Sequence, residues 1–337
     1  MFHTQPASFR VFLAGCAALA IAAAAAVTPA RAQIDPPGRY VDLVFARVER
    51  TNAVKYGSAI DKPTGRPVDL LLDIYEPAGD TAARRPVFVF LFGGGFVAGD
   101  RAREPRIYCE QMARRGYVAV AIDYRINQGN IVTDGIPAAV ADARQAVRWL
   151  RQNADRHRLD VDRIAIGGSS AGSITSLFLA YTDLELEPGD ETSDVAIVMD
   201  LWGGLYNEVR QMEAGEPPLI IIHGTADTVV PFSEAEKLRD RAVEVGLPHV
   251  FHPLQGKGHA PYMPVELMAV VAPFFYEQMW PTGVVPSPTP SATNTATATA
   301  TATGVPPSAT PLPTVAPTVE ATVPPVWRVY LPWGWRE

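Results

Sequence analysis

Ser170 stands at the centre of a Gly-x-Ser-x-Gly motif, Gly-Ser-Ser-Ala-Gly at positions 168–172. An apolar run at 164–166 precedes the motif and a helical stretch at 173–181 follows it, which is the strand-turn-helix context of a nucleophile elbow. Such a turn lifts the serine Oγ above the sheet, and the backbone N–H of Ala171 points at the same space. The motif predicts a nucleophile for acyl transfer; the alternative is a glycine-rich turn without chemistry.

A serine hydroxyl needs a base to activate it, and the base needs an acid to orient it. Asp227 follows an apolar run at 219–222, and His259 lies in a glycine-containing loop after a final predicted strand at 249–254. The chain order Ser170, Asp227, His259 is that of the α/β-hydrolases. We therefore predict these three residues as a catalytic triad.

Other residues remain alternatives for two of these roles. Asp200 ends the preceding predicted strand and is the alternative acid. His223 lies at the end of the strand before Asp227, where we expect it to hold the acid loop. The alternatives to His259 as the base are His157, His223, His249 and His252.

Three consecutive glycines at 93–95 directly follow an apolar run at 87–92. Glycines let backbone N–H groups approach an oxyanion without obstruction by a Cβ, and loss of one such donor costs about 100- to 1000-fold in rate. The segment predicts an oxyanion hole; the alternative is a flexible loop.

The elements that must position these residues alternate along the chain. Apolar runs without polar alternation predict parallel strands covered on both faces, whereas residues 41–50 and 68–75 alternate like antiparallel edge strands. An apolar stripe predicts a helix over residues 136–150, and Ser233 with Glu236 predicts a capping box at the start of another helix. The pattern indicates an α/β fold with a mostly parallel, doubly wound sheet flanked by helices.

The chain resembles serine carboxylesterases of the α/β-hydrolase superfamily, close to the hormone-sensitive-lipase-like and feruloyl or acetyl (xylan) esterase-like enzymes. Leu-Asp-Ile-Tyr-Glu-Pro at 72–77, Ala-Ile-Asp-Tyr-Arg at 121–125 and the Ser170 motif carry the resemblance. The resemblance implies an α/β-hydrolase fold. It also implies that the backbone N–H groups of Gly94, Gly95 and Ala171 form the oxyanion hole. The family usually has His where this chain has Phe92, which bears on the rigidity of the loop.

Composition excludes several classes of protein. The chain has 337 residues, of which 47% are hydrophobic, and a formal net charge of −7, which argues against a nucleic-acid binder. Two cysteines exclude a disulfide scaffold and a cysteine-rich zinc module. No cluster with metal-ligand spacing is apparent, so we expect neither a metal nor an organic cofactor.

The two ends differ in composition from the rest. Residues 1–32 predict a signal peptide, with an apolar stretch at 11–27 and Ala-Arg-Ala at 30–32 as a cleavage site. The alternatives are a membrane anchor and a lipoprotein signal at Cys16. We expect a catalytic domain at 33–280, a disordered linker rich in Pro, Thr and Ala at 281–325, and an aromatic tail at 326–337. The protein is thus predicted to be extracellular or attached to the cell surface through its tail.

The sequence predicts hydrolysis of carboxylic esters through an acyl-enzyme. No cap helix is apparent, and an open site suits acetylated or feruloylated polysaccharide, or polyester, as well as small esters. We expect the substrate pocket to be lined by Trp202, Tyr206 and Phe232, for which ordinary packing is the alternative. The alternative functions are a serine peptidase or acyltransferase on the same fold, and a surface protein that binds without catalysis.

Overall fold

The computed structural model describes residues 38–185 and 193–281, together with the two-residue strand Val329–Tyr330. The predicted signal peptide, and nearly all of the predicted linker and tail, lie outside the described residues. Within those ranges, no helix has the length and apolarity that crossing a membrane requires.

One sheet organises the described residues. Its strand order is β1-β2-β4-β3-β5-β6-β7-β8, with Val329–Tyr330 pairing antiparallel to β8 as β9. Strands β3 to β8 run parallel, and β1 and β2 are antiparallel at one edge. This confirms the predicted α/β class. The strands are β1 Val48–Asp61, β2 Arg66–Pro77, β3 Arg85–Leu91, β4 Val118–Ile122, β5 Leu159–Ser169, β6 Ile197–Leu201, β7 Leu219–Gly224 and β8 His249–Leu254.

Helices cover both faces of the parallel strands, which explains why those strands lack polar alternation. Helices α2, α4 and α5 pack on one face, and α1 and α6 pack on the other, each side with its own apolar core. The bounds are α1 Glu104–Ala113, α2 Ile136–Gln152, α3 Ala154–His157, α4 Ala171–Tyr181, α5 Phe232–Val245 and α6 Pro264–Met279.

The first predicted strand is placed wrongly by the sequence pattern. Residues 41–47 are not a strand, and β1 instead begins at Val48 and continues to Asp61. Upstream, Tyr40 adopts a positive φ of 72° and stacks on Trp280 with ring centroids 4.7 Å apart. The N–H groups of Tyr40 and Phe45 donate to the carbonyls of Arg115 and Arg114 at 2.7 and 2.9 Å, so this segment bonds to the chain after α1 instead of to a strand.

The predicted capping box of α5 is also wrong. The helix begins at Phe232, so Ser233 and Glu236 both lie inside it, and no side chain caps its first turn. The residue before the helix is Pro231, whose carbonyl accepts the N–H of Glu234 at 2.8 Å. With Pro231 in the N-cap position, the helix starts two residues earlier than a cap at Ser233 would place it.

Candidate active site

Ser170 occupies a strained turn between β5 and α4. Its φ and ψ are 50° and −115°, and its N–H donates to the carbonyl of Leu201 at 2.9 Å. The turn tolerates no side chain on either flank: a Cβ on Gly168 would lie 2.5 Å, and one on Gly172 2.2 Å, from the backbone oxygen of Leu91. Both glycines of the motif are therefore required by the close approach of β3.

The structure brings the three residues of the predicted triad together. His259 Nε2 lies 3.0 Å from Ser170 Oγ, and His259 Nδ1 lies 2.7 Å from Asp227 Oδ2. A carboxylate accepts, so Nδ1 carries the proton and Nε2 presents a lone pair to the serine hydroxyl. This is the tautomer that a general base for Ser170 requires.

Asp227 is held firmly at the end of β7. Its side chain is fully buried, and its Oδ1 accepts the N–H groups of Val229 at 2.8 Å and Val230 at 3.1 Å. The two backbone donors leave Oδ2 to face His259. The loop thus fixes both the position and the rotation of the carboxylate.

The alternatives to Asp227 and His259 have other partners. Asp200 Oδ1 accepts from Ser173 Oγ and from the N–H of Gly203, and neither of these bonds involves His259. Burial raises the pKa of Asp200, while the nearby imidazole of His223 and the two hydrogen bonds oppose that rise. His223 is wholly buried, with Nε2 2.9 Å from the carbonyl oxygen of Val230. The prediction that His223 holds the acid loop agrees with this contact.

The glycine loop lies directly against the nucleophile. A Cβ on Gly93 would meet Ser169 Oγ at 2.9 Å and Ser170 Cβ at 3.4 Å, while the Gly93 N–H donates to Glu104 Oε2 at 3.2 Å. Gly94 and Gly95 have φ values of 128° and 62°, and no described residue accepts their N–H groups. Both donors are therefore available to a ligand at Ser170.

Ala171 supplies a third N–H group on the other side of Ser170. It is the first residue of α4. The N–H groups of the first turn of a helix have no carbonyl partner within the helix. The positive end of the helix dipole adds a favourable field for a developing negative charge.

An aromatic stack supports the glycine loop where the related family has a histidine. The ring of Phe92 is buried and stacks on Tyr124 at 4.2 Å with an interplanar angle of 14°. The hydroxyl of Tyr124 donates to the carbonyl of Phe92 at 2.8 Å. Sequence reasoning missed the supporting roles of Tyr124 and Glu104. For Tyr124, the only available signal was its place in the segment at 121–125. For Glu104, the signal was an acidic residue at the start of α1.

The three predicted pocket residues have different surroundings. Trp202 is 1% exposed and belongs to the core beneath the sheet edge, so the expectation that it lines an accessible pocket is wrong. Phe232 is half-buried and packs edge-on against His223, with centroids 6.0 Å apart. Tyr206 is 38% exposed. Partial burial raises the pKa of its hydroxyl, and the nearby negative charges of Glu234 and Asp227 raise it further. Tyr206 is therefore the most exposed of the three.

The remaining titratable groups do not assemble a metal site. The described residues contain no group of three His, Cys, Asp or Glu side chains arranged to hold an ion. Cys109 is buried in α1, and burial raises the pKa of its thiol.

Comparison with known proteins finds one matching family model and several relatives that are named esterases. The BD-FAE family model matches residues 72–205. Esterase LipC of Mycobacterium tuberculosis is 26% identical over 230 residues, which is 56% of each chain, and the acetyl esterase of Salmonella schwarzengrund is 27% identical over 44% of this chain and 42% of its own. The chain thus spans about half the length of the curated relatives it matches.

Solved structures of similar proteins cover more of the fold. Thermogutta terrifontis esterase 2, phosphorylated by paraoxon, is 28% identical with a TM-score of 0.59, covering 72% of this chain and 97% of that one. A carbohydrate esterase from gut microbiota, at 21% identity and a TM-score of 0.58, shows the shared fold alone. The fold and these matches place the chain in the α/β-hydrolase superfamily, with similarity to esterases of that fold.

Proposed function

We propose that this protein hydrolyses carboxylic esters through an acyl-enzyme formed on Ser170. The observation that carries the proposal is the hydrogen-bonded chain from Ser170 Oγ through His259 to Asp227, at 3.0 Å and 2.7 Å. The esterases among its relatives, and the organophosphate adduct on the esterase of Thermogutta terrifontis, support the same chemistry.

The first half of the reaction forms the acyl-enzyme. His259 Nε2 accepts the proton of Ser170 Oγ as that oxygen attacks the ester carbonyl carbon, and the carbonyl oxygen becomes an oxyanion. The N–H groups of Gly94, Gly95 and Ala171 donate to this oxyanion. His259 then donates its proton to the alcohol oxygen, which leaves as the carbon–oxygen bond breaks.

The second half repeats these steps with water. His259 takes a proton from water, the hydroxide attacks the acyl carbon, and the proton returns to Ser170 Oγ as the acid leaves. Throughout, the negative charge of Asp227 stabilises the imidazolium of His259.

The open surroundings of Ser170 favour esters on large carriers. In the described residues, the connection from β6 to β7 contains only the short 3₁₀ turn Tyr206–Gln211, and residues 38–67 form a turn and β1 rather than a cap helix. We include acetylated or feruloylated polysaccharide and polyester among the substrates of this proposal. Export through residues 1–32, and attachment to the cell envelope through the tail, belong to it as well.

The test compares the mature chain, residues 33–337, with two adjacent serine variants. Ser170→Ala removes the proposed nucleophile, whereas Ser169→Ala removes a buried hydroxyl one residue away. Turnover of p-nitrophenyl esters from acetate to laurate and labelling by a fluorophosphonate are measured for each. We expect the wild type and Ser169→Ala to react in both assays and Ser170→Ala in neither. A folded wild type that neither turns over an ester nor takes the label would overturn the proposal.

A further inference from the structure

Asp73 and Asp123 lie in the segments at 72–77 and 121–125, and neither takes part in the proposed reaction. Both carboxylates bind the guanidinium of Arg101: its Nε donates to Asp73 Oδ1 at 3.0 Å, and its Nη1 donates to Asp123 Oδ2. The backbone N–H of Arg101 also donates to Asp123 Oδ1 at 3.0 Å. Arg101 is therefore fixed by its side chain and its backbone to the neighbouring strands β2 and β4.

Asp73 is a firm anchor because it is buried and ionised. Its side chain is 1% exposed, and it also accepts from Arg50 Nη2 at 2.6 Å and from the N–H of Ala53 at 2.7 Å. Burial alone would raise the pKa of this carboxyl, but the bonds from Arg50, Ala53 and Arg101 outweigh it and hold the pKa below its ordinary value. Buried charges need such pairing, and here two guanidinium groups meet two carboxylates.

The residues just before this arginine fold back on the glycine loop. The N–H groups of Val97 and Ala98 both donate to the carbonyl of Gly94 at 3.1 Å. The packing is close, since a Cβ on Gly94 would lie 2.1 Å from the carbonyl oxygen of Ala98. A Cβ on Gly99 would lie 2.6 Å from the carbonyl oxygen of Gly93. This part of the chain is thus in direct contact with the backbone of the first two glycines.

These contacts set the direction of two proposed oxyanion donors. The peptides of this loop are trans, so the C=O and N–H of each point in opposite directions. The carbonyl of Gly94 faces residues 97–99, which we call the return segment, so the N–H of Gly95 points away from them. The carbonyl of Gly93 faces Gly99, so the N–H of Gly94 points away as well. A shift of the return segment would therefore turn both donors.

A separate contact limits how far the loop moves when the arginine is lost. The N–H of Asn127 donates to the carbonyl of Phe96 at 2.8 Å, and its side-chain amide donates to the carbonyl of Val97 at 3.2 Å. Neither bond involves Arg101. Loss of the guanidinium should therefore displace the return segment without releasing the whole loop.

We propose that Arg101 is a positioning residue of the oxyanion hole, which holds the return segment against the glycines by binding Asp73 and Asp123. The inference rests on the proposed esterase function. Arg101 acts through the backbone of Gly94 and Gly95 and not by contact with the substrate. Each of the two carboxylates thereby gives its sequence segment a part in catalysis.

The test compares two arginines that share one carboxylate. Arg101→Met and Arg50→Met each remove a guanidinium from Asp73, and the two side chains are similarly placed, at 17% and 28% exposed. Arg50 belongs to β1 and packs over the ring of Tyr75, away from the return segment in the chain. Arg101→Lys keeps the charge but lacks the planar fork that reaches two carboxylates at once.

Asp123→Asn weakens the same anchor from its other side. The backbone N–H of Asp123 donates to the carbonyl of Leu71 at 2.8 Å, and its backbone carbonyl accepts from the hydroxyl of Tyr56 at 2.6 Å. Both bonds survive the change. The variant therefore removes only the charge that binds the Arg101 side chain.

For each variant of the mature chain, kcat and KM are measured on p-nitrophenyl butyrate, together with the inhibition constant of an alkyl trifluoromethyl ketone. Ser170 Oγ adds to the ketone carbon, its proton passes to His259, and the carbonyl oxygen becomes an oxyanion like that of the reaction. Urea titration gives the stability of each variant. Hydrogen exchange of residues 93–99 reports on the loop without turnover.

We expect Arg101→Met to lower kcat by about 10- to 100-fold and to raise the inhibition constant by a similar factor, because the donors are displaced and not removed. KM should stay within about twofold, since the lost interaction forms only with the oxyanion. Arg50→Met should lose comparable stability with kcat and the inhibition constant close to those of the wild type. Arg101→Lys and Asp123→Asn should fall between these limits, and exchange at 93–99 should quicken in the order of the losses in kcat.

Equal losses of kcat in Arg101→Met and Arg50→Met at equal stability would overturn the inference. A fall in kcat with an unchanged inhibition constant, or with unchanged exchange at 93–99, would overturn it too. If Arg101→Met does not fold, Asp123→Asn against Arg50→Met decides by the same criteria. A folded wild type that neither turns over the ester nor binds the ketone would overturn the proposed function instead, and exchange would still decide whether Arg101 holds the loop.

Discussion

His223 Nε2 lies 3.2 Å from Asp227 Oδ2, the oxygen that His259 Nδ1 also approaches to 2.7 Å. Two imidazoles therefore meet one carboxylate oxygen. His223 Nε2 is 2.9 Å from the carbonyl of Val230 as well, and because a carbonyl only accepts, this nitrogen carries a proton. His223 thus donates a hydrogen bond to the acid, and its own side chain has no solvent access.

Replacement of His223 should reduce turnover more than substrate binding. We expect His223→Leu to lower kcat by about 10- to 100-fold with little change in KM, as for other partners that orient a reacting group. His223→Gln retains an N–H donor at similar reach and should recover much of kcat. Steady-state kinetics and thermal unfolding of both variants check this. If Gln and Leu lower kcat equally at equal stability, the hydrogen bond does not position Asp227.

Asp200 should make stability depend on pH. Burial raises its pKa above the ordinary value of 3.8, so the folded protein binds the proton more tightly than the unfolded chain does. The contribution of Asp200 to the free energy of unfolding therefore falls as pH rises from about 4 through the folded pKa. Asp200→Asn keeps an acceptor for Ser173 and Gly203 and removes the titration.

The measurement is the free energy of unfolding from urea titrations between pH 4 and pH 8. The wild type minus Asp200→Asn difference should decrease steadily with rising pH. Parallel curves for the two proteins would contradict a raised pKa at Asp200.

Most of the central sheet could be predicted because its signals are local. Strands buried on both faces produce unbroken apolar runs. The elbow needs Gly168 and Gly172 because a Cβ at either position would clash with the backbone of the neighbouring strand. The start of β1 could not be predicted, since the N–H groups of Tyr40 and Phe45 donate to the carbonyls of Arg115 and Arg114, far along the chain, rather than to a neighbouring strand.

The candidate site divides in the same way. The order Ser170, Asp227, His259 is a linear pattern, and the structure brings these residues together. The burial of Trp202 depends on how the end of β6 packs, which no local pattern contains, whereas His223, four residues before Asp227, could be assigned to the acid loop from the sequence. The identity of the nucleophile is thus more predictable than the groups that surround it.

Gly95 tests whether the glycine loop must hold its backbone for catalysis. Its φ is 62° and a Cβ there would have open space, which also describes Gly65 in the β1–β2 turn, with a φ of 65°. Alanine at either position carries about 1–2 kcal/mol of backbone strain. We expect Gly95→Ala and Gly65→Ala to lose similar stability, while only Gly95→Ala lowers kcat/KM, by about tenfold or more, as its N–H moves from the oxyanion.

Chemical denaturation and kinetics on p-nitrophenyl acetate separate the two effects. Unchanged kcat/KM in a folded Gly95→Ala variant would remove this loop from the oxyanion hole. A fall in kcat/KM for Gly65→Ala would show that general strain, rather than the donor position, limits the rate.

Phe92→His restores the residue usual in the related family and should destabilise this chain. Phe92 is 2% exposed and stacks on Tyr124, so an imidazole there would bury polar nitrogens in a place built for an apolar ring. We expect a loss of about 1–3 kcal/mol in the free energy of unfolding, the typical cost of a buried polar group without a partner. The loss should grow below about pH 6.5, where an exposed imidazole takes a proton that a buried one resists. Phe92→Leu, which stays apolar, should show no such pH dependence in urea titrations at pH 5.5 and pH 8. Equal losses for the two variants at both pH values would mean that the imidazole finds a polar partner there, which would contradict the predicted cost of burying its nitrogens.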